Sequence, residues 1–194
     1  MRNSKLILAV ATASMMYGAS VYAVDAQSAG PFGSGKITFT GTITNSPCDI
    51  ATGSEAINVP LGQVSDRRFK SDGATSDSKP FQISLRNCSF DLKTPEKPQD
   101  GLALSKVAVS FATASSYDTT KHAVVNPVGA KNIGVQLLES DNTTVIDFDT
   151  PDTTGKQLVP GNNDLSFYAR LIALNTGVTP GDVNVSVTYT LKYL

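Results

Sequence analysis

The sequence predicts an all-β protein, a two-sheet sandwich of immunoglobulin-like kind. Three observations predict it. Alternating or apolar runs of strand length recur along the chain, turn residues separate them, and no long stretch carries the periodicity of an amphipathic helix. Short strands of this number and spacing suit a sandwich, in which two sheets bury one face each.

The elements follow in order. Lys36 to Thr44 alternates strictly, with Gly35, Ile37, Phe39, Gly41 and Ile43 on one face and Lys36, Thr38, Thr40, Thr42 and Thr44 on the other. Ile57-Asn58-Val59-Pro60-Leu61 is short and contains a proline, so it is expected at an edge. Phe81 to Cys88 alternates again. Val107 to Phe111 and Ile133 to Leu138 are apolar runs. Asp164 to Ile172 places Leu165, Phe167, Ala169 and Leu171 on one face, and Val183 to Leu194 forms the last strand. Loops are expected at Ser65–Arg68 with Ser71–Ser78, at Lys93–Gly101 with Pro95 and Pro98, and at Asp149–Asn163 with Pro151, Pro160 and Gly161.

The first residues read as a targeting segment. Arg2 and Lys5 form a positive head, Leu6 to Met16 a largely apolar run, and Val21-Tyr22-Ala23 a peptidase site, with cleavage between Ala23 and Val24. The apolar run is too short to span a bilayer comfortably. Removing 23 of the 194 residues leaves 171, with 14 basic residues against 17 acidic ones and a formal charge of −3. Such a balance excludes a nucleic-acid binder working through a basic face. Export also bears on Cys48 and Cys88, because an oxidising compartment favours their pairing; two buried free thiols are the alternative.

Catalytic and metal chemistry find no constellation. His122, flanked by Lys121 and Ala123, is the one imidazole, so it has no histidine partner for zinc and no evident orienting group for general-base work. Asp141, Asp147, Asp149 and Asp152 cluster around a turn, but their spacing does not match an EF-hand loop. Gly33-Ser34-Gly35 lacks the strand-before, helix-after setting of a dinucleotide fingerprint, and Asn142-Thr143-Thr144 matches a glycosylation sequon of a kind frequent by chance. No cofactor and no metal is expected.

The two ends of the chain are more informative. The last strand carries Val183, Val185, Val187, Tyr189, Leu191 and Tyr193 at period two, opposite Asn184, Ser186, Thr188, Thr190 and Lys192. With Leu194 as the last residue given, no following segment is expected to pair with it. At a sheet edge such a strand is an aggregation hazard unless something covers it; a central strand paired on both sides is the alternative. The leader Val24 to Gly35 is polar and rich in small residues, and the alternating face that follows it could be a first strand or an arm that joins another molecule's sheet.

In this respect the sequence resembles the pilins of chaperone–usher fimbriae, especially the type 1 and P pilus structural subunits, over essentially the whole mature chain. Gly35 to Ile43 resembles the donor-strand extension, with Gly41 seven residues before Cys48. Asn45-Ser46-Pro47-Cys48-Asp49-Ile50 resembles the first-cysteine motif, Val59 to Val64 the short strand after it, and Phe81 to Cys88 the second-cysteine strand. Ile133 to Leu137 and Phe167 to Arg170 match mid-domain segments, Gly181 stands fourteenth from the end, and Tyr193 is penultimate.

The resemblance implies an incomplete immunoglobulin-like sandwich that lacks its last strand and is completed by a donor strand from a neighbour. It implies a signal peptide at 1–23, a donor extension at 24–45 and a pilin domain at 46–194. Gly35, Ile37, Phe39, Gly41 and Ile43 would be the donor face. Gly181, Val183, Val185, Val187, Tyr189, Leu191 and Tyr193 would form the acceptor strand, which a periplasmic chaperone also uses. The partners implied are identical or related pilin subunits, the chaperone and an outer-membrane usher. The function implied is that of a fimbrial structural subunit, the major rod subunit, exported through the periplasm to the cell-surface fimbrium and supporting adhesion. A minor, adaptor or tip subunit with an adhesin role is the alternative, although 171 residues leave little room for a receptor-binding domain. An exported sandwich enzyme of the copper–zinc dismutase kind fails on the single histidine.

Overall fold

The structure, a computed structural model, describes residues 35–90 and 104–194. The expected signal peptide with its Ala23–Val24 junction, the leader as far as residue 34 and the Pro95/Pro98 loop lie outside the described residues. The chain falls into two units, one ending at Ile43 and the other running from Thr44 to Leu194.

In the first unit, residues 35–43 form no strand and no helix. The strand expected over 36–44 is absent because β structure needs a neighbour for its N–H and C=O groups, and none is paired here. The apolar face stands in solvent: Ile37 is 78% exposed, Phe39 90%, and Ile43 fully.

The second unit is a sandwich of two antiparallel sheets. The larger has six strands, in the order β1 (Asp49–Ile50), β2 (Lys79–Cys88), β8 (Gly161–Ala173), β6 (Ile133–Leu138), β5 (Ala123–Val125) and β4 (Tyr117–Asp118). The smaller has three, in the order β7 (Lys156–Gln157), β3 (Lys106–Ala112) and β9 (Thr188–Tyr193). A single 3-10 turn, Asp66–Arg68, is the one helical element among the described residues, capped by the Ser65 hydroxyl, which accepts from the Arg67 N–H.

Alternation sets which residues meet between the sheets. Ile83 and Leu85 of β2, Val107 and Phe111 of β3, Ile133, Val135 and Leu137 of β6, and Leu165, Phe167, Ala169 and Leu171 of β8 are all buried in one core. Phe167 lies at its centre, stacked on Phe81 at 5.6 Å between ring centroids and edge-on to Phe111 at 5.4 Å. Phe111 in turn stacks on Phe148, which stacks on Tyr117. Pairs of this kind add about 1 kcal/mol each beyond their area.

Three expected boundaries differ. The loop expected over Asp149–Asn163 is interrupted by β7, and β8 begins at Gly161, where residues 161–163 pair with the end of β2. Ile57–Leu61 joins no sheet: Pro60 has no N–H to donate, and no strand runs beside it among the described residues. The last strand forms only over Thr188–Tyr193, where it pairs with β3 from Ala112↔Thr188 to Val107↔Tyr193. Residues 183–187 run past the end of β3 and so have no ladder to join. At the other end of the sandwich, Cys48 and Cys88 form a disulfide. A register shift in the β2–β8 pairing between Leu85 and Cys88, with Asn87 at φ 52°, lets Cys88 turn toward Cys48, and the Asn87 amide donates to Asp49 at 2.8 Å.

Candidate functional site: an open apolar groove

β9 is the edge of its sheet. One side pairs with β3, and the other has no strand beside it among the described residues. Across from it runs the 57–64 segment, also without a ladder. Between these two rims lies a groove of about 1420 Å³. Its floor is the sandwich core itself, chiefly Phe81, Phe111, Val135, Leu137, Ala169 and Leu171.

Each rim alternates as a strand does, and neither has a strand on its groove side among the described residues. Ile57, Val59 and Leu61 are half-buried, while Asn58, Pro60 and Gly62 between them are exposed. On the opposite rim Val183, Val185, Val187 and Tyr189 are half-buried, while Asn184, Ser186 and Thr188 are exposed. The alternation follows from period two alone, since side chains turned inward reach the core and those turned outward reach water. Among the described residues, no element covers the apolar row or pairs with the main chain between the rims. An open edge beside a row of valines is unfavourable in an isolated chain and well suited to accept a strand.

Both ends of the groove are held by specific polar contacts. At one end the Tyr189 hydroxyl donates to the Ser54 carbonyl at 2.8 Å, tying β9 to the segment after β1. Burial raises the Tyr189 pKa, with Glu55 adding to the effect, so the hydroxyl stays a donor. At the other end Gly181 and Asp182 press against the turn before β6. A Cβ on Gly181 would stand 2.5 Å from the Ala130 nitrogen, and a Cβ on Gly129 would stand 2.3 Å from the Asp182 oxygen. Glycine at both positions is what lets the two backbones touch and the Ala130 N–H donate to Asp182 at 3.0 Å.

Of the residues read as acceptor positions, Gly181, Val183, Val185, Val187 and Tyr189 line the groove. Leu191 and Tyr193 lie beyond its lining, in the paired part of β9, and pack partly buried against the core. The residues read as donor positions, Gly35, Ile37, Phe39, Gly41 and Ile43, are exposed, and a Cβ on Gly35 or Gly41 would meet nothing within 4 Å. Their own unit therefore gives no steric reason for glycine. The residue that sequence reading missed is Asn126, whose side chain bonds to Asp182 and Asn184 at the start of the second rim; a lone asparagine before Pro127 reads as an ordinary turn residue.

The candidates for other chemistry are placed as well. His122 is half-exposed, at φ 47° in the turn from β4 to β5, with its Nδ1 3.2 Å from Asp147. Each clustered aspartate except Asp149 serves its own turn. Asp141 accepts from the Thr144 hydroxyl and from the N–H groups of Thr143 and Thr144, Asp147 from the Asp149 N–H, and Asp152 from Thr154. These bonds hold all three carboxyls below the usual carboxylate range: the Thr144 hydroxyl leads for Asp141, the Asp149 N–H for Asp147 and the Thr154 hydroxyl for Asp152. No group of three or more metal-ligating side chains comes together among the described residues.

Comparison with known proteins agrees with this geometry. The profile of the family described as fimbrial protein matches residues 37–194. Long polar fimbria protein A of Salmonella typhimurium is 34% identical over 162 residues, covering 83% of this chain and 84% of the relative. The major MR/P fimbria protein of Proteus mirabilis is 29% identical over 194 residues, covering 100% and 99%. Among solved structures, a chain of a chaperone–usher pilus superposes with a TM-score of 0.67 at 24% identity, over 84% of this chain and 98% of that one. A P pilus rod subunit superposes with a TM-score of 0.60 at 21% identity, over 77% and 100%. The latter two likenesses bear on the fold, an immunoglobulin-like sandwich short of one strand.

Proposed function

This chain belongs to the fimbrial protein family, and we propose that it is a rod-forming pilus subunit that polymerises by donor-strand exchange. The observation that carries this reading is the groove between the 57–64 and 181–189 segments, apolar, open, and with no strand among the described residues paired to either rim on its groove side. The matching element is residues 35–43, whose large apolar side chains are spaced two or four residues apart and stand in water. Each of Gly35–Ile43 and Gly181–Tyr189 is nine residues, about 30 Å when extended, so one could lie along the other.

In this reading the arm of one subunit enters the groove of the next. Main-chain hydrogen bonds to β9 and the 183–187 rim give affinity, and Ile37, Phe39 and Ile43 in successive pockets give register. Burying two isoleucines and one phenylalanine contributes about 6 kcal/mol by area transfer. Gly41 falls where a pocket is too shallow for a side chain. Before assembly a periplasmic chaperone covers the groove, an outer-membrane usher directs the exchange, and the product is a surface fimbrium that supports adhesion. The Cys48–Cys88 disulfide ties the base of the first strand to β2 and keeps the sandwich in register while the groove is open. No catalytic step enters this account.

The test is a chain whose mature part begins at Ser46. It is expected to be exported, to bind chaperone and to cap fibres without extending them. Fibres built from the truncated chain alone would refute the donor role of residues 35–43.

A further inference from the structure

The 183–187 rim has no strand beside it among the described residues, so something else has to hold it in place. Among the described residues, the side-chain hydrogen bonds to the main chain of residues 182–184 come from one residue. Asn126, between β5 and β6, is 5% exposed. The two protons of its Nδ2 are shared among the carbonyls of Val128 at 2.7 Å, Ala130 at 2.9 Å and Asp182 at 3.0 Å, and its Oδ1 accepts from the Asn184 N–H at 3.0 Å. The reverse orientation of the amide would aim its oxygen at three carbonyls and its NH₂ at an N–H, so the network admits one orientation. From Asp182 to Val187, the only other hydrogen bonds to the main chain among the described residues are Ala130 N–H to the Asp182 carbonyl and the Thr113 hydroxyl to the Ser186 carbonyl.

We infer that Asn126 is a positioning residue for strand capture: it holds the start of the acceptor rim in the extended conformation before any partner strand arrives. The inference rests on the donor-strand reading above. The physical reason is the cost of ordering. A free segment of five or six residues would have to be fixed at the moment of binding, at about 1 kcal/mol or more for each residue's backbone. Clamped at Asp182 and Asn184 on one side and by the β9 ladder from Thr188 on the other, Val183–Val187 is a short span tethered at both ends, and most of that ordering is done in advance. Gly129 and Gly181 serve the same device, because a side chain on either would push the turn and the rim apart.

This predicts a kinetic signature that a general loss of stability would not produce. Once a donor strand is seated, its own ladder holds the rim, and Asn126 matters less. Removing the anchor is therefore expected to slow association more than it speeds dissociation. The experiment uses the full chain, with a fluorescent synthetic peptide of the Gly35–Ile43 sequence as probe. Asn126→Ala is expected to keep a cooperative unfolding transition and the Cys48–Cys88 disulfide, and to slow peptide association at least tenfold with dissociation changed less than threefold. Val128→Ala, altering an exposed side chain of the same turn, is expected to bind as the unaltered chain does. Equal association rates for Asn126→Ala and the unaltered chain would overturn the inference. Failure of the unaltered chain to bind the peptide would overturn the donor-strand reading and this inference with it. Should Asn126→Ala fail to fold, hydrogen exchange on the unaltered chain decides: the Asn184 amide is expected to exchange at least tenfold more slowly than those of Val185 and Val187, and equal rates would overturn the anchor.

Discussion

Phe39 offers the sharpest separation between what holds one subunit together and what joins two. It is 90% exposed, so Phe39→Ala removes almost nothing from the subunit's own core. If the side chain is instead buried in a neighbour's groove, nearly all of its apolar surface leaves water there. Burying a phenylalanine is worth about 3 kcal/mol at the upper end of area transfer, and a cavity beneath the truncated side chain would add to the loss. At 1.4 kcal/mol per factor of ten, 3 kcal/mol weakens each junction roughly a hundredfold. The assay has two arms. Thermal unfolding of unassembled chain should give the same midpoint for Phe39→Ala and the unaltered protein, within about 1 °C, as expected for an exposed position. Multimers resolved on an unboiled gel should dissociate at a clearly lower temperature for the variant. A variant that lowered the midpoint of the isolated chain, or left multimer dissociation unchanged, would refute the reasoning.

Two further predictions concern the sandwich. Replacing both Cys48 and Cys88 by serine releases a loop closed across 40 residues, and the chain-entropy treatment puts the loss at about 4 kcal/mol, read as a lower unfolding midpoint that reductant then no longer shifts. The carboxyls of Asp141, Asp147, Asp152 and Asp164 are all held below their ordinary 3.8, so their contribution to stability is present above that pH and is lost as pH falls through the depressed native values. Denaturant midpoints should thus hold steady from neutrality to about pH 5 and decline below pH 4, and Asp141→Asn should flatten the decline.

How much of this was legible in the sequence depends on which forces act locally. Strands β2, β3, β6 and β8 were, because their inward residues alternate or run apolar and the core simply collects them. The groove was legible only as an oddity: six apolar positions at period two in the last strand expected from the sequence. The structure shows that half of that pattern, Val183 to Val187, is not in a strand at all, because pattern reports which way a side chain faces and a ladder requires a neighbour. The same reason leaves Gly35–Ile43 without secondary structure despite its strict alternation. β4, β5 and β7 are two or three residues each, too short to carry a period. Asn126 was illegible for another reason. Its partners are the main chain of residues 56 and 58 positions away as well as its own turn, and backbone acceptors leave no mark on sequence.

On the donor-strand reading, residues 183–187 have no strand beside them in the isolated chain and gain one in the fibre. Hydrogen exchange on the amides of this segment, in unassembled chain and in purified fibres, tests it most directly. Val185 and Val187 are expected to exchange rapidly in the unassembled chain and to slow by several orders of magnitude in fibres, to the level of β2 and β8. Equal exchange in the two states would contradict it.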